Sequence, residues 1–96
     1  MQGTDLSVCF RVFGRVQGVG FRYYTLRKAN ALGVYGWVRN EADGSVLVHA
    51  HLSPEALDPF RRSLENGPPF ARVERIDETP STDPNLPTLT EFIILR

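Results

Sequence analysis

Ninety-six residues with 42% hydrophobic and 10% aromatic content suffice for one compact core and not for two, so a single domain over residues 1–96 is expected. No stretch approaches the roughly 20 apolar residues that cross a bilayer, and Met1 to Phe10 carries neither a basic leader nor an apolar run, so a soluble, cytoplasmic chain without membrane association is expected. Eleven basic side chains balance eleven acidic ones, which removes the broad positive field behind non-specific nucleic-acid binding, while one cysteine and two histidines exclude an internal disulfide and are a poor ligand stock for structural zinc.

Ser7 to Phe13 alternates, with Val8, Phe10 and Val12 on one side and Cys9, Arg11 and Phe13 on the other, the period of a strand. Gly14 to Gly20 interrupts it with three glycines in seven residues. From Phe21 to Leu32, Phe21, Tyr24, Thr25, Ala29 and Leu32 recur at helical spacing, and Gly33 suits a left-handed C-terminal cap. Val34 to Asn40 reads as a second strand, Glu41-Ala42-Asp43-Gly44 as a tight hairpin and Ser45 to Leu52 as a third strand. Ser53-Pro54 then caps a second helix, whose stripe Leu57, Phe60 and Leu64 runs up to Gly67. Arg72 to Thr79 alternates weakly, as an edge strand does; Pro80 to Pro87 reads as a mobile surface loop and Leu89 to Leu95 as a last strand.

This order is that of an α+β protein: a ferredoxin-like βαββαβ sandwich, two helices on one face of a mostly antiparallel sheet, with an added C-terminal strand. Strands one and two, joined through a helix, run parallel, so their C-terminal ends emerge at one edge of the sheet. Residues 14–20, Arg22 and Asn40 must therefore cluster. Charge points the same way: residues 1–40 carry six basic side chains against one acid, and residues 41–96 five against ten.

The run Gly14-Arg15-Val16-Gln17-Gly18-Val19-Gly20-Phe21-Arg22 sets a flexible backbone ahead of a helix N-terminus, where unpaired amides and the helix dipole favour an anion. Its spacing matches neither the dinucleotide fingerprint nor the P-loop, and no lysine closes it, so a lone phosphate fits better than a nucleotide. Arg22, in the first helical turn, offers a planar fork for two phosphate oxygens. Asn40, at a strand end, offers a carboxamide able to fix a water in line with phosphorus. Cradle, clamp and water holder describe phosphoryl transfer to water. The absence of a nearby histidine or aspartate as base points to an activated phosphate, whose carboxylate leaving group asks for little proton transfer.

The same run resembles the first signature of the acylphosphatase family, and Gly36-Trp37-Val38-Arg39-Asn40-Glu41-Ala42-Asp43-Gly44-Ser45-Val46 resembles the second. The likeness extends through Gly67 to Val73 and the closing Phe92-Ile93-Ile94. It implies a ferredoxin-like fold and hydrolysis of acyl phosphates to carboxylate and inorganic phosphate, with no cofactor and no metal. It also implies that Arg22 binds phosphate together with the backbone amides of Val16, Gln17, Gly18, Val19 and Gly20, and that Asn40 orients the attacking water. Gly20 stands where many members have a bulkier residue; the same Val-Gly-Phe-Arg version occurs in the acylphosphatase-like domain of hydrogenase-maturation carbamoyltransferases. The expected partners are a small acyl phosphate and the phosphate product, on a monomer that binds no nucleic acid.

Other features have plainer readings. Cys9 and Arg15 satisfy the C-x5-R spacing of cysteine phosphatases, but an extended strand at about 3.3 Å per residue sets them on the order of 20 Å apart. Cys9 is expected to be an inert strand residue, and Arg39 to face away from Asn40. His49 and His51 are expected as surface histidines on the uncovered sheet face, beside Tyr35 and Trp37. Two further functions stay open at this stage: a non-catalytic anion-binding or regulatory domain, and single-stranded RNA binding through those aromatics, against which the zero net charge argues.

Overall fold

The computed structural model describes residues 4–96; Met1 to Gly3 of the expected domain lie outside them. Five strands and two helices follow in the order β1 (Leu6–Arg15), α1 (Phe21–Leu32), β2 (Tyr35–Asn40), β3 (Val46–Leu52), α2 (Pro54–Asn66), β4 (Arg72–Pro80) and β5 (Phe92–Ile94), with a short 3-10 turn at Leu86–Thr88. The sheet order is β4-β1-β3-β2-β5. All neighbours are antiparallel except β2 and β5. This is the expected ferredoxin-like sandwich, with β5 laid parallel on the outer edge of β2.

The core lies between the sheet and the helices. Phe10 and Val12 of β1, Val46 and Val48 of β3 and Val38 of β2 bury one sheet face against Phe21 and Ala29 of α1 and Phe60 and Leu64 of α2. The stripe on α2 is Ala56, Phe60 and Leu64, and Leu57 is only partly buried. Phe60 stands edge-on to both Phe10 and Phe92, at 5.7 and 6.5 Å between centroids, so β5 shares the same core as β1.

Two strand limits differ from expectation for identifiable reasons. β1 runs on to Arg15 because the register against β4 shifts between Phe13 and Gly14. Gly14 makes that bulge with φ 126° and lies so close to β4 that a Cβ there would meet the Arg72 carbonyl oxygen at 2.1 Å. β5 is shorter than Leu89–Leu95 because β2 starts at Tyr35 and offers its first ladder bond, Gly36 N–H, to the Glu91 carbonyl.

Pro80 to Pro87 is tied down, unlike the free loop expected. The Ser81 amide donates to the Ser7 carbonyl. Ser81 Oγ lies 2.7 Å from His49 Nδ1, and Trp37 Nε1 donates to Asp83 Oδ2 at 2.8 Å. Leu86 is wholly buried. The segment thus straps across the sheet face that the helices leave open, and His49, expected at the surface, is only 7% exposed beneath it.

Candidate active site

The C-terminal ends of β1 and β2 meet at one sheet edge, where a cavity of about 400 Å³ is lined by Val16, Gly18, Gly20, Phe21, Arg22, Tyr23, Asn40, Ile94 and Arg96. Arg22 and Asn40, 18 positions apart in sequence, come together as the topology requires. Of the five loop residues expected to offer amides, Val16, Gly18 and Gly20 line the cavity and Gln17 and Val19 do not.

Gly18 (φ 75°) and Gly20 (φ 82°) turn the chain from β1 into α1 through left-handed backbone with open space around both. The two helices start differently. Ser53 caps α2 by accepting from the Ala56 amide, and Glu55 lies in its first turn. Gly20 at the N-cap of α1 provides no side-chain acceptor, and no acid lies in that first turn. The first-turn amides and the positive end of the α1 dipole are therefore left uncompensated by the protein, beside the Arg22 guanidinium.

Asn40 lies on the helix-facing side of β2, opposite Val46. Its Oδ1 is buried without a hydrogen-bond partner among the described residues. A buried carboxamide oxygen left unpaired costs about 1–3 kcal/mol, and Asn40 is one of the residues that line the cavity.

The geometry also assigns a task to the Gln17 side chain, which the sequence did not signal. Its Nε2 donates to the carbonyls of Glu41 (2.7 Å) and Ser45 (2.9 Å), the closing pair of the hairpin that begins directly after Asn40. That hairpin is itself braced. Glu41 holds both Arg39 (2.7 Å) and Arg11 (3.5 Å) on the opposite sheet face. Asp43 accepts from the Ser45 hydroxyl and amide, which holds its carboxyl below the usual carboxylate range. The phosphate-loop candidate and the strand end bearing Asn40 are thus latched to one rigid turn.

Arg39 faces away from Asn40, with its guanidinium 5.0 Å from the Trp37 ring centroid. Trp37 stacks on His49 at 4.3 Å and bonds to Asp83, so its ring is engaged within the protein, unlike the free base-stacking platform of an RNA-binding sheet. Cys9 and Arg15 share extended strand β1, and burial raises the Cys9 thiol pKa, which keeps it protonated. Among the described residues, no group of three or more His, Cys, Asp or Glu could hold a metal ion.

Sequence reasoning missed Tyr23, Ile94 and Arg96 as cavity residues. Tyr23 follows Arg22 in the helical turn already singled out. Ile94 and Arg96 reach the cavity only because β5 runs parallel to β2 and ends at Ile94 opposite Val38, pointing the chain toward the end of β2 that bears Asn40.

Known proteins resemble this chain in sequence and in fold. The acylphosphatase family model matches residues 8–94. An acylphosphatase of Salinibacter ruber is 51% identical over 75 residues, spanning 78% of this chain and 79% of its own. One from Nocardioides sp. is 52% identical over 80 residues, spanning 83% and 81%. The crystal structure of acylphosphatase from Bacillus subtilis superposes with a TM-score of 0.87 at 38% identity, covering 95% of this chain and 99% of that one. With the family match spanning both signatures and every strand that frames the cavity, the chain belongs to the acylphosphatase family.

Proposed function

We propose that this cavity hydrolyses acyl phosphates to a carboxylate and inorganic phosphate. The observation that carries the reading is a juxtaposition: the uncapped start of α1, Arg22 and Asn40, whose buried Oδ1 has no partner among the described residues, line one cavity. Amides of the 16–20 loop, with Val16, Gly18 and Gly20 at the cavity wall, and the Arg22 fork hold the phosphoryl oxygens as the bond to the acyl oxygen stretches. Asn40 Oδ1 accepts a hydrogen bond from water, which turns a water lone pair toward phosphorus on the side opposite the leaving carboxylate. Water adds to phosphorus, the P–O bond to the acyl group breaks with its electron pair on the carboxylate, and the water protons end on the phosphate. The departing carboxylate needs no protonation, which matches a lining without histidine, aspartate, glutamate or cysteine.

The reaction is read as metal-independent, on a cytoplasmic monomer with a small-molecule substrate and no nucleic-acid partner. A lining that offers the positive Arg22 and no carboxylate, imidazole or thiol supports the metal-independent part of that reading, and the engagement of Trp37 in the strap supports the absence of a nucleic-acid partner. Benzoyl phosphate turnover, followed in the ultraviolet with chelator present, tests it. Hydrolysis well above the spontaneous rate is expected; a rate no faster than buffer would leave an anion-binding domain as the function.

A further inference from the structure

A second cavity, also of about 400 Å³, opens on the sheet face opposite to Asn40, the one the helices leave uncovered. That volume suits a whole small molecule. The strand registers fix its floor. Arg11, Leu47 and Arg39 lie in one row across β1, β3 and β2, and Cys9, His49 and Trp37 lie in the next. The strap walls one side through Thr82 and Asp83.

The two guanidiniums of the first row are placed by their contacts. Arg39 Nε lies 2.7 Å from Glu41 Oε2, and its guanidinium carbon lies 5.0 Å from the Trp37 ring centroid. Arg11 Nη1 lies 3.5 Å from Glu41 Oε1 and donates to Ser45 Oγ. Two cations, one on either side of Leu47, therefore converge on a single carboxylate. The other acids nearby are already engaged. Asp43 stands 3.9 Å from Arg11 and accepts from the Ser45 hydroxyl and amide. Asp77, opposite Arg11 on β4, is held by Arg75. Asp83 accepts from Trp37 Nε1 on one oxygen and from the Asn85 amide on the other. Among the described residues, Arg39 Nη1 and Nη2 and Arg11 Nε and Nη2 have no hydrogen-bond partner.

We propose that this second cavity binds a small organic anion, a carboxylate or a phosphate ester, whose oxygens bridge Arg11 and Arg39. Planar guanidinium forks suit both kinds of oxyanion. The ligand has a rival inside the protein, because its oxygens compete with the Glu41 carboxylate for the same two cations. Glu41 also links the two faces of the sheet. It follows Asn40 directly, and its carbonyl accepts from Gln17 Nε2 of the phosphate loop. An anion that draws the arginines away from Glu41 thus loosens the brace behind the catalytic cavity.

Trp37 is the one tryptophan of the chain and lines this cavity, so its emission reports occupation here and not at the phosphate loop. Citrate serves as the carboxylate probe and β-glycerophosphate as the phosphate-ester probe, each titrated against potassium chloride of matched ionic strength. A saturable change in emission is expected from at least one, and the tighter of the two names the ligand class. Arg39→Gln should weaken half-saturation by about fivefold, as loss of a partly exposed ion pair allows. Glu41→Gln removes the rival and should tighten half-saturation by about threefold. Opposite shifts in the two variants are not what general damage to the cavity would give. The bound anion should also lower kcat for benzoyl phosphate, a loss that saturating substrate does not relieve.

No saturable change with either probe, equal half-saturation in wild type and Arg39→Gln, or weaker binding in Glu41→Gln overturns the site. Inhibition that saturating substrate relieves in full would put the anion in the catalytic cavity and overturn the link through Glu41. The emission titration stands apart from the hydrolytic reading, and failure to hydrolyse benzoyl phosphate would count against that reading alone.

Discussion

Arg22 and Asn40 share a cavity but are assigned different work, and kinetics can separate them. Arg22→Ala removes the clamp on the phosphoryl oxygens, so turnover should fall by about 100-fold or more and competitive inhibition by inorganic phosphate should weaken with it. Arg22→Lys should recover little, because an ammonium cannot reproduce a two-pronged planar donor. Asn40→Ala removes only the acceptor that orients water. It should lower kcat by a similar factor while the inhibition constant for phosphate stays within about twofold; a matching loss of phosphate affinity would mean that the carboxamide binds substrate instead. Both residues were legible in the sequence, since residue type, position in an element and the parallel strand ends sufficed to bring them together. Gln17 was legible only as a backbone position in a glycine-rich turn. Its side chain acts through two carbonyls more than 20 residues away, and no spacing rule points to such a contact.

At the scale of elements, the latch between the loop and the hairpin makes its own prediction. Gln17→Ala leaves the Glu41 and Ser45 carbonyls without that donor, at a cost of about 1–3 kcal/mol. The expected result is a lower denaturation midpoint together with losses in both kcat and phosphate affinity, since loop and strand end lose their common anchor. The two activity losses should shrink in an Asn40→Ala background if Gln17 works through that alignment, and double-mutant kinetics would measure it. Strand and helix limits were largely readable because period-2 and period-3.6 patterns with Gly, Pro and Ser punctuation mark them directly. β5 and the strap were not. Leu89 to Leu95 has strand-like composition, but it pairs with β2 only from Phe92 opposite Gly36 to Ile94 opposite Val38. Residues 80–88 have no period, and what fixes them is polar contact with Ser7, Trp37 and His49 on distant strands.

For the whole molecule, the strap makes stability sensitive to mild acid. Burial lowers the His49 pKa below its usual value near 6.5; Asp83 and Glu41 oppose the shift and the Arg39 and Arg11 guanidiniums add to it. In the unfolded chain the same imidazole protonates at about 6.5, so the unfolded state binds more protons below that pH and stability falls as pH drops through it. Chemical denaturation at pH 7.5 and pH 5.5 should show this loss. His49→Gln, which keeps a polar group facing Ser81 but does not titrate, should flatten the dependence across that window. An unchanged slope would assign the acid sensitivity elsewhere. The sequence suggested two solvent-facing histidines, and only burial beneath the strap turns one of them, His49, into a pH-sensitive part of the fold.

The three-residue β5 has a consequence beyond the cavity it helps to line. It shields the outer margin of β2, and Phe92 reaches from it to the Phe60 ring. The opposite margin of the sheet, β4, is studded with Arg72, Glu74, Arg75, Asp77 and Glu78 and ends on Pro80, features that discourage another chain from docking there. β2 has no comparable guard of its own. Severing residues 92–96 should therefore silence the enzyme and expose a ready template for self-association in a single event. Light scattering that climbs with concentration, in step with lost turnover, would reveal one short segment serving as both catalytic wall and safeguard against polymerisation.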